Sequence, residues 1–398
     1  MRVFLFFILF SLMTFELKAQ WIQMNEAFGG NSVGTIKTVG STIFAGTFDF
    51  GLNSKVYKST DNGLNWTISN SGLGSAPVHT FATIGSIIFA ATYSEGVFKS
   101  VDNGTTWTNV LSNIPNVNYY SLGTKDSVII VGTDYGALYQ STDLGINWIN
   151  VVATTPTNYY YNIRSNSTHF FAASSDGPFI STDNGLNWNL VDSGLTISSI
   201  EEFLIQPSYV FSTDNFRVYR TSNNGTYWET VTNNLSINSF KRSFGFSGSN
   251  QLIGTSDGVF VTPNNGQNWI AANSGLGNND VNEFDTLSSY IFAATNIGIF
   301  RIDTSQINTI AIGINEINEV KILNVYPNPS HGKIKIEIES KFINDNYKLQ
   351  IFNTFGQTVL FENLNNQGSI DLSHFPKGIY FLEVKNLNIS LHRKIIIE

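Results

Sequence analysis

The 398-residue sequence contains no cysteine, which excludes a disulfide framework, a thiolate zinc site and a cysteine nucleophile. Charged residues make up only 13% of it, and after the first twenty residues no apolar run is long enough to cross a bilayer. Helix-period patterns are also scarce there. The fold must therefore rest on strand pairing and core burial, for which an aromatic content of 14% is well suited.

Basic residues are few and are not clustered. Residues 20–303 contain 11 Lys and Arg against 20 Asp and Glu, whereas residues 304–398 contain nine of each. An acidic surface without a basic run excludes nucleic acid and an anionic membrane as expected partners. The five histidines show no metal-ligand spacing, so neither a metal site nor a cofactor is predicted.

The amino terminus has the pattern of a secretory leader. Met1-Arg2 is basic, Val3 to Phe15 is almost wholly apolar, and a small residue, Ala19, follows. The pattern predicts a signal peptide over residues 1–19 with cleavage near Ala19. Because the apolar run is too short for a comfortable membrane anchor, the mature chain is expected to have no transmembrane segment.

The seven tryptophans recur with a period near forty residues. Successive steps along the chain are 45, 41, 41, 40, 40 and 41 residues. The tryptophans are Trp21, Trp66, Trp107, Trp148, Trp188, Trp228 and Trp269. Such a fixed period is typical of propeller blades or solenoid units.

An eight-residue word, called the box below, ends on six of these tryptophans. Four copies read S-x-D-x-G-x-x-W, with Asp61, Asp102, Asp143 and Asp183 in front of Trp66, Trp107, Trp148 and Trp188. Two copies are weakened, with Asn223 and Asn264 in front of Trp228 and Trp269. The word resembles the Asp-box (BNR, sialidase-like) repeat. It suits a hairpin turn in which the Asp oxygen accepts N–H groups, Gly supplies a positive φ and Trp packs beneath. We therefore interpret the box residues as structural.

Each unit also contains one short apolar segment, which in six units lies before the box. The first of the seven segments is Ile43–Thr47 and the last is Tyr290–Thr295. Their composition predicts buried strands. Each unit therefore has four strands: an inner strand, the buried apolar strand, a strand before the box and a Trp strand. This predicts an all-β fold, a seven-bladed β-propeller over residues 20–303. The last unit has no box and no tryptophan after its third strand. At the other end, Trp21 begins a Trp strand that no box or earlier strand precedes. We therefore expect the segment at Trp21 to pair beside Phe300 and close the ring of a monomer.

The C-terminal part has a different pattern. Residues 304–323 are polar and are interpreted as a linker, and residues 324–398 alternate as in a small antiparallel, Ig-like β-sandwich. The segments Tyr326–Pro329, Ile351–Gln357, Pro376–Tyr380 and Lys394–Ile397 resemble the type A C-terminal sorting domain of the Bacteroidetes type IX secretion system. The resemblance implies Sec export, then handling by the type IX machinery, and a secreted or cell-surface protein. An ordinary carbohydrate-binding or adhesive sandwich is the alternative.

Aligning the inner strands brings forward one position that varies from unit to unit. It reads Gly34, His79, Tyr120, Tyr161, Glu201, Arg242 and Asn282. We predict that the last six bind a ligand, a glycan or a protein, because tyrosines with mixed donors and acceptors suit such ligands. A polar funnel without a ligand is the alternative. Acidic residues of the turns after the second strands, from Asp49 to Asp257, are interpreted as turn formers.

No catalytic constellation stands out. Glu201, Glu202 and Glu283 are the inner-strand carboxylates to test as a glycosidase pair. The sialidase family uses three arginines to hold its substrate's carboxylate, and the few arginines of residues 20–303 do not match that pattern. We therefore predict a non-enzymatic recognition or adhesion propeller. A glycoside hydrolase acting on extracellular polysaccharide and an assembly scaffold are the alternatives, the latter because the repeat also resembles photosystem II assembly-factor propellers.

Overall fold

The computed structural model divides the chain into two compact units, Met1–Ile312 and Gly313–Glu398. The structure describes residues 20–24, 28–29, 31–48, 53–111, 113–115, 117–153, 157–196, 199–236, 239–277, 280–311, 323–338, 346–354, 357–365, 367–385 and 390–398. The predicted signal peptide lies outside the described residues, as does Asp49.

In the described part of the first unit, the strands form seven antiparallel groups of four, called sheets 1 to 7 below. Five of them are separate four-stranded sheets, and sheets 3 and 4 are joined edge to edge into one eight-stranded sheet. β1 (Ile22–Gln23) precedes sheet 1, and the sheets then follow in chain order. Sheet 1 is β2–β5 (Val33–Val39, Thr42–Thr47, Val56–Ser59, Thr67–Ile68), and sheet 2 is β6–β9 (Val78–Ile84, Ile87–Thr92, Val97–Ser100, Thr108–Asn109). Sheet 3 is β10–β13 (Tyr119–Lys125, Val128–Thr133, Leu138–Ser141, Ile149–Ala153), and sheet 4 is β14–β17 (Tyr160–Ser165, Phe170–Ser174, Gly177–Ser181, Asn187–Leu190). Sheet 5 is β18–β21 (Glu202–Ile205, Val210–Thr213, Val218–Thr221, Glu229–Thr230), and sheet 6 is β22–β25 (Lys241–Ser247, Asn250–Thr255, Gly258–Thr262, Ile270–Ala271). Sheet 7 is β26–β28 (Val281–Leu287, Tyr290–Thr295, Gly298–Asp303) with β1.

Burial follows strand position within each sheet. The second strands β3, β11, β15, β19 and β23 are buried at every residue, which explains their mainly apolar and small side chains. Most outermost strands have only two residues, which keeps the exposed edge short. The two longer ones, β13 and β17, pair with each other in parallel, so that the outer edges of sheets 3 and 4 are covered.

The box is a compact hydrogen-bonded turn. In its first copy Ser59 Oγ accepts the Gly63 N–H at 2.9 Å, and Asp61 Oδ1 accepts the Asn65 N–H at 2.9 Å. Trp66 Nε1 donates to the Gly63 carbonyl at 2.9 Å. Gly63 has a φ of +82°, a conformation that L side chains rarely adopt. Hydrogen bonds from Asn65 lower the pKa of Asp61 to about 2, so the carboxylate is fully committed to the turn.

The same turn recurs in the other five copies. The Asp or Asn oxygen accepts the backbone N–H four residues on at Asp102, Asp143, Asp183, Asn223 and Asn264. The tryptophans Trp107, Trp148, Trp188, Trp228 and Trp269 are all buried, and each donates its indole N–H to a backbone carbonyl. The box residues therefore stabilise the sheets and leave no carboxylate free for chemistry.

The first strands of the sheets contact one another in sequence. β2 contacts β6, β6 contacts β10, and the series continues through β14, β18 and β22 to β26, which contacts β2. β1 pairs antiparallel with β28, with Ile22 opposite Arg301 and Gln23 opposite Phe300. Trp21, just before β1, is buried and donates from Nε1 to the Ala272 carbonyl at 2.7 Å. The segment at Trp21 thus supplies the fourth strand of sheet 7.

The interpretation of residues 304–323 as a linker needs correction at its start. Thr304–Ala311 form a helix, α1, that contacts β22, β24 and β28. Asp303 caps this helix, since its Oδ1 accepts the Ser305 N–H at 2.8 Å. Ile307 is completely buried in the core that also contains Trp21. A cap and one buried apolar side chain are enough to attach this polar segment to the first unit.

The second unit contains two antiparallel sheets around one apolar core. One sheet has the order β29-β30-β33 and the other β32-β31-β34-β35. The strands are β29 Leu323–Tyr326, β30 Lys333–Ile338, β31 Asn346–Phe352, β32 Thr358–Asn365, β33 Gln367–Asp371, β34 Gly378–Lys385 and β35 Ser390–Ile397. The core includes Ile336, Leu349, Leu382 and Ile395, which come from both sheets. Their alternation with exposed residues is what the sequence pattern indicates.

Candidate functional site

Six of the seven first strands, in the residues described, share one irregularity. The register of the first strand against the second shifts at a single residue near its start. The residues at the shift are Gly34, His79, Tyr120, Tyr161, Arg242 and Asn282. A β-bulge of this kind places two residues opposite one and redirects a side chain out of the regular alternation. The variable position of the sequence is therefore a bulge position.

These bulged residues meet in one place. They line a cavity of about 130 Å³, called the mouth cavity below, together with Glu201 from sheet 5. All six predicted ligand-binding residues, His79, Tyr120, Tyr161, Glu201, Arg242 and Asn282, contribute to its wall. Arg164, Glu202 and Glu283 also line it. The structure thus brings the predicted ligand-binding residues and the carboxylates to be tested for catalysis into a single site.

A continuous series of rings, called the aromatic arc below, occupies one side of this site. The His79 and Tyr120 rings have centroids 4.3 Å apart, and Tyr159 stacks on Tyr161 at 5.9 Å with an interplanar angle of 9°. Tyr120 contacts Tyr159 edge-on at 6.5 Å and joins the two pairs. The complete arc is Phe48, His79, Tyr93, Tyr120, Tyr159 and Tyr161. Tyr93 and Tyr159 are 40% and 42% exposed, so the arc offers ring surface to a ligand.

His79 is held neutral at the centre of the arc. Burial lowers the pKa of its imidazole to about 4, because the charged form would lose hydration. Its Nε2 atom is buried, and no residue in the described part of the chain hydrogen-bonds to it. A neutral imidazole nitrogen can donate or accept according to tautomer. This atom therefore has hydrogen-bonding capacity that the described residues do not use.

The opposite side of the mouth cavity is polar, and its groups are already engaged. Arg242 Nε contacts Asp280 Oδ1 at 2.6 Å. Asn282 Nδ2 donates to the Val33 carbonyl at 2.9 Å. Glu201 Oε1 accepts from Asn215 Nδ2 at 3.1 Å, and burial raises the pKa of the Glu201 carboxyl. These contacts fix the side chains in place before any ligand arrives.

A partly buried ion cluster forms the floor of the mouth cavity. Arg164 Nη2 lies 3.2 Å from Glu202 Oε1 and 3.7 Å from Glu283 Oε1. Glu283 Oε2 also accepts from Thr35 Oγ1 at 2.6 Å and from the Ile36 N–H at 3.0 Å. The same three charged residues line a second cavity of about 290 Å³. Arg164, from sheet 4, thereby connects sheets 5 and 7 through their first strands.

The carboxylates proposed for a catalytic test differ in environment. Glu202 is 7% exposed, and burial raises the pKa of its carboxyl to about 8 against the lowering effect of Arg164. Burial likewise raises the pKa of Glu283, although hydrogen bonds from Thr35 and Ile36 oppose this. Two acids that share one guanidinium and a set of backbone and hydroxyl donors are arranged as a structural cluster. Within the described residues, no group of three His, Cys, Asp or Glu side chains is placed to hold a metal ion.

The acids in the turns after the second strands bond either to their own turn or to the segment before the first strand of the same sheet. Asp214 Oδ1 accepts the N–H groups of Phe216 and Arg217 at 2.8 and 2.7 Å. Asp134 Oδ2 accepts from Asn118 Nδ2 at 2.6 Å. Such bonds are the ordinary chemistry of turn residues and are consistent with the interpretation of these acids as turn formers.

Phe48, Tyr93 and Tyr159 were not predicted as members of the site. Phe48 and Tyr93 each follow a buried second strand directly, at equivalent positions of sheets 1 and 2. Tyr159 directly precedes β14, in the run Tyr159-Tyr160-Tyr161. Because only some sheets carry a ring at these positions, the sequence pattern does not reveal them. The repeated tyrosines at the starts of β10 and β14 are the available signal.

Comparison with protein families identifies the C-terminal part of the chain. Residues 324–398 match the family described as "Secretion system C-terminal sorting domain". The chain therefore carries a sorting domain that implies type IX export to the cell surface or into the medium. No helix within the described residues is long and apolar enough to cross a membrane. A search of curated proteins finds no match.

Solved structures show the fold of the larger part. The extracellular domain of a hybrid two component system from B. thetaiotaomicron aligns with a TM-score of 0.61 and 13% identity, over 80% of this chain and 44% of that one. YCF48 from Cyanidioschyzon merolae aligns with a TM-score of 0.58 and 13% identity, over 72% of this chain and 98% of that one. An ancestral GH74 enzyme aligns with a TM-score of 0.54 and 15% identity, over 92% and 62%.

These likenesses establish a β-propeller fold and nothing of the ligand, since all of the identities are low. This chain spans less than half the length of the first of these structures. The protein is thus a β-propeller joined to a C-terminal sorting domain of type IX secretion.

Proposed function

We propose that the chain is a closed, seven-bladed propeller of the Asp-box type that binds an extracellular ligand without transforming it. The sheet-to-sheet contacts that run from β2 to β26 and return to β2 support the ring, as does the pairing of β1 with β28. The six recurring box turns support the repeat type. The signal peptide at residues 1–19 and the Ig-like description of residues 324–398 complete the proposal.

One observation carries the recognition role: the bulged residue of nearly every sheet faces one cavity, and those residues differ from sheet to sheet. The box residues, which hold the sheets, hardly vary. The residues that stabilise the fold are thus repeated, whereas the residues that line the cavity differ from sheet to sheet. This pattern is typical of a binding surface on a rigid scaffold.

A glycan array and a panel of extracellular proteins, probed with the full-length protein, test this role. We expect saturable binding that Tyr161→Ala weakens, because the variant removes a ring from the aromatic arc and leaves the fold intact. Tyr227→Ala is the matched control, since Tyr227 is 58% exposed in a box turn and does not line the mouth cavity. Absence of saturable binding to either panel would overturn the proposal.

A glycoside hydrolase remains the second candidate because Glu202 and Glu283 lie in the same cavity. A polysaccharide hydrolysis screen separates the two functions. Turnover that Glu202→Gln or Glu283→Gln abolishes would establish the enzyme. We expect no products, because both carboxylates already bind Arg164.

Export can be tested independently of the ligand. Deletion of residues 324–398 should leave the protein in the periplasm of a type IX-competent host, since the sorting domain is then absent. Amino-terminal sequencing of the exported protein should begin near Gln20. Undiminished surface delivery of the truncated chain would contradict the sorting role.

A further inference from the structure

We propose that the mouth cavity selects an uncharged saccharide, whose rings stack on the aromatic arc while its hydroxyls bond to His79 and the tyrosines. This inference rests on the proposed recognition function and narrows its ligand to one chemical class. It follows from the charges, the rings and the free hydrogen-bonding atoms that meet in the cavity.

The cavity offers no free cation to an acidic ligand. Arg164 and Arg242 are the basic residues among its described lining. Arg242 is paired with Asp280 at 2.6 Å, and Arg164 contacts both Glu202 and Glu283. A carboxylate, sulfate or phosphate would compete with Asp280 for Arg242 and with Glu202 and Glu283 for Arg164, which lowers what it gains from either guanidinium. Sialic acids, uronates and anionic peptides are therefore disfavoured.

A basic ligand is disfavoured for the complementary reason. Glu202 and Glu283 already face Arg164. Glu201 accepts from Asn215, and burial favours its protonated form, which raises its pKa. An ammonium or guanidinium group in the cavity would lose its hydration without meeting an uncommitted carboxylate pair.

The rings match a ligand with both apolar faces and hydroxyl edges. Tyr93 and Tyr159 leave ring surface exposed beside the cavity, and Tyr120 and Tyr161 extend that surface into it. Burial raises the pKa of Tyr120 and Tyr161, so both keep their phenolic protons as hydrogen-bond donors. A pyranose unit presents C–H faces to rings and hydroxyls to donors and acceptors.

His79 supplies the most specific requirement. Its Nε2 atom is buried beside the rings and has no protein partner in the described chain, and its imidazole stays neutral at physiological pH. A hydroxyl, which both donates and accepts, satisfies this nitrogen in either tautomer. Because Nε2 has almost no accessible surface, a saccharide hydroxyl reaches it only when the Tyr93 or Tyr120 ring beside it turns aside, and this is the contact that we expect to fix the ligand's position.

The test compares three sets of oligosaccharides of equal length by isothermal titration with the full-length protein. The neutral set contains gluco-, manno- and xylo-oligosaccharides, the acidic probe is oligogalacturonate, and the basic probe is a chitosan oligomer. We expect at least one neutral probe to bind, and Tyr120→Ala and Tyr161→Ala each to weaken it about tenfold or more. Tyr227→Ala should leave its affinity unchanged.

A charge variant sharpens the test. His79→Lys places an unpaired cation beside the rings, so it should lose the neutral probe and gain affinity for oligogalacturonate. His79→Gln, which keeps a neutral donor and acceptor, should retain part of the neutral affinity. Circular dichroism and thermal unfolding of each variant show whether the fold is intact.

The outcomes separate this inference from the recognition function. If oligogalacturonate, the chitosan oligomer or a protein binds and Tyr161→Ala weakens that binding, recognition at the mouth cavity stands and the uncharged-saccharide inference is wrong. If a neutral probe binds but none of the arc variants changes its affinity, the site is wrong. If nothing binds at concentrations on the order of 1 mM, both proposals fail.

Discussion

At the scale of single residues, the floor of the mouth cavity shows how charged side chains can fix the positions of neighbouring first strands without adding much stability. Glu202 is buried and Glu283 is largely buried beside the partly exposed Arg164, so the energy of their attraction is opposed by the cost of dehydrating the two acids. The cluster fixes the relative positions of three first strands, because Arg164 contacts one acid from sheet 5 and one from sheet 7. The pH dependence of stability reports on this balance.

Glu202→Gln should stabilise the protein more at alkaline pH than at acidic pH. The folded-state pKa of Glu202 is raised from 4.5 to about 8, so the unfolded chain releases the proton first. The free energy of unfolding then falls as pH rises between these values, and glutamine removes that fall. Urea unfolding at about pH 5 and about pH 8 should show the variant's advantage growing with pH.

The exposed Glu362→Gln is the control, and it should not change the pH dependence. If the free energies of unfolding of wild type and Glu202→Gln change with pH in parallel across this range, the Glu202 carboxyl does not titrate as its burial requires.

Ser59→Ala should destabilise the first box turn by about 1–3 kcal/mol, because it leaves the buried Gly63 N–H without its acceptor. Thr is the matched substitution. In the fifth box Thr221 Oγ1 accepts the Gly225 N–H at 3.1 Å, which shows that the turn accommodates threonine. Thermal unfolding should therefore rank Ser59→Thr near wild type and Ser59→Ala below it. Equal losses for both variants would contradict the role assigned to the hydroxyl.

At the scale of elements, the regular strands could be predicted from the sequence and the irregular ones could not. The second strands are continuous apolar runs, and the boxes mark each turn that follows the third strand, so their order along the chain is legible. The bulge is not, because a one-residue register shift depends on the pairing of two strands and has no sequence pattern of its own here. The alignment of the inner strands found the bulged residues through their variability.

Helix α1 was missed for a related reason. Its sequence, TSQINTIA, has a weak apolar face, and its attachment depends on one side chain that fits the core beside Trp21. Tertiary contacts decide the structure of such segments.

Ile307→Ala should lower the free energy of unfolding of the first unit by about 2–5 kcal/mol, since Ile307 is fully buried and its loss leaves a cavity. Ile310→Ala, in the same helix but only partly buried, should cost less. Chemical unfolding followed by tryptophan fluorescence measures both. If Ile307→Ala has no effect, residues 304–311 act as the linker that the sequence suggested.

At the scale of the whole molecule, a ring of repeated sheets has a difficulty that a linear array lacks, since its first and last members must meet. Here β26 contacts β2 through Glu283, Asp285 and the backbone of β2. The strand β1 then adds a contribution from the start of the described chain to the last sheet. In the proposed ring, this strand couples the stability of sheet 7 to that of the neighbouring sheets.

Trp21→Ala should weaken that coupling specifically. The Trp21 side chain is 1% exposed, donates to the Ala272 carbonyl and packs with Phe284 and Phe300, so its truncation should cost about 3–5 kcal/mol. Ile22→Ala is the neighbouring control, because Ile22 is 56% exposed and should tolerate truncation. Hydrogen exchange measured on the amides of Gly298–Asp303 should accelerate in Trp21→Ala and not in Ile22→Ala, since loss of β1 leaves β28 as an edge strand. Unchanged exchange in β28 would mean that the segment at Trp21 does not hold sheet 7 together, and the proposed closure of the ring would lose the support of β1.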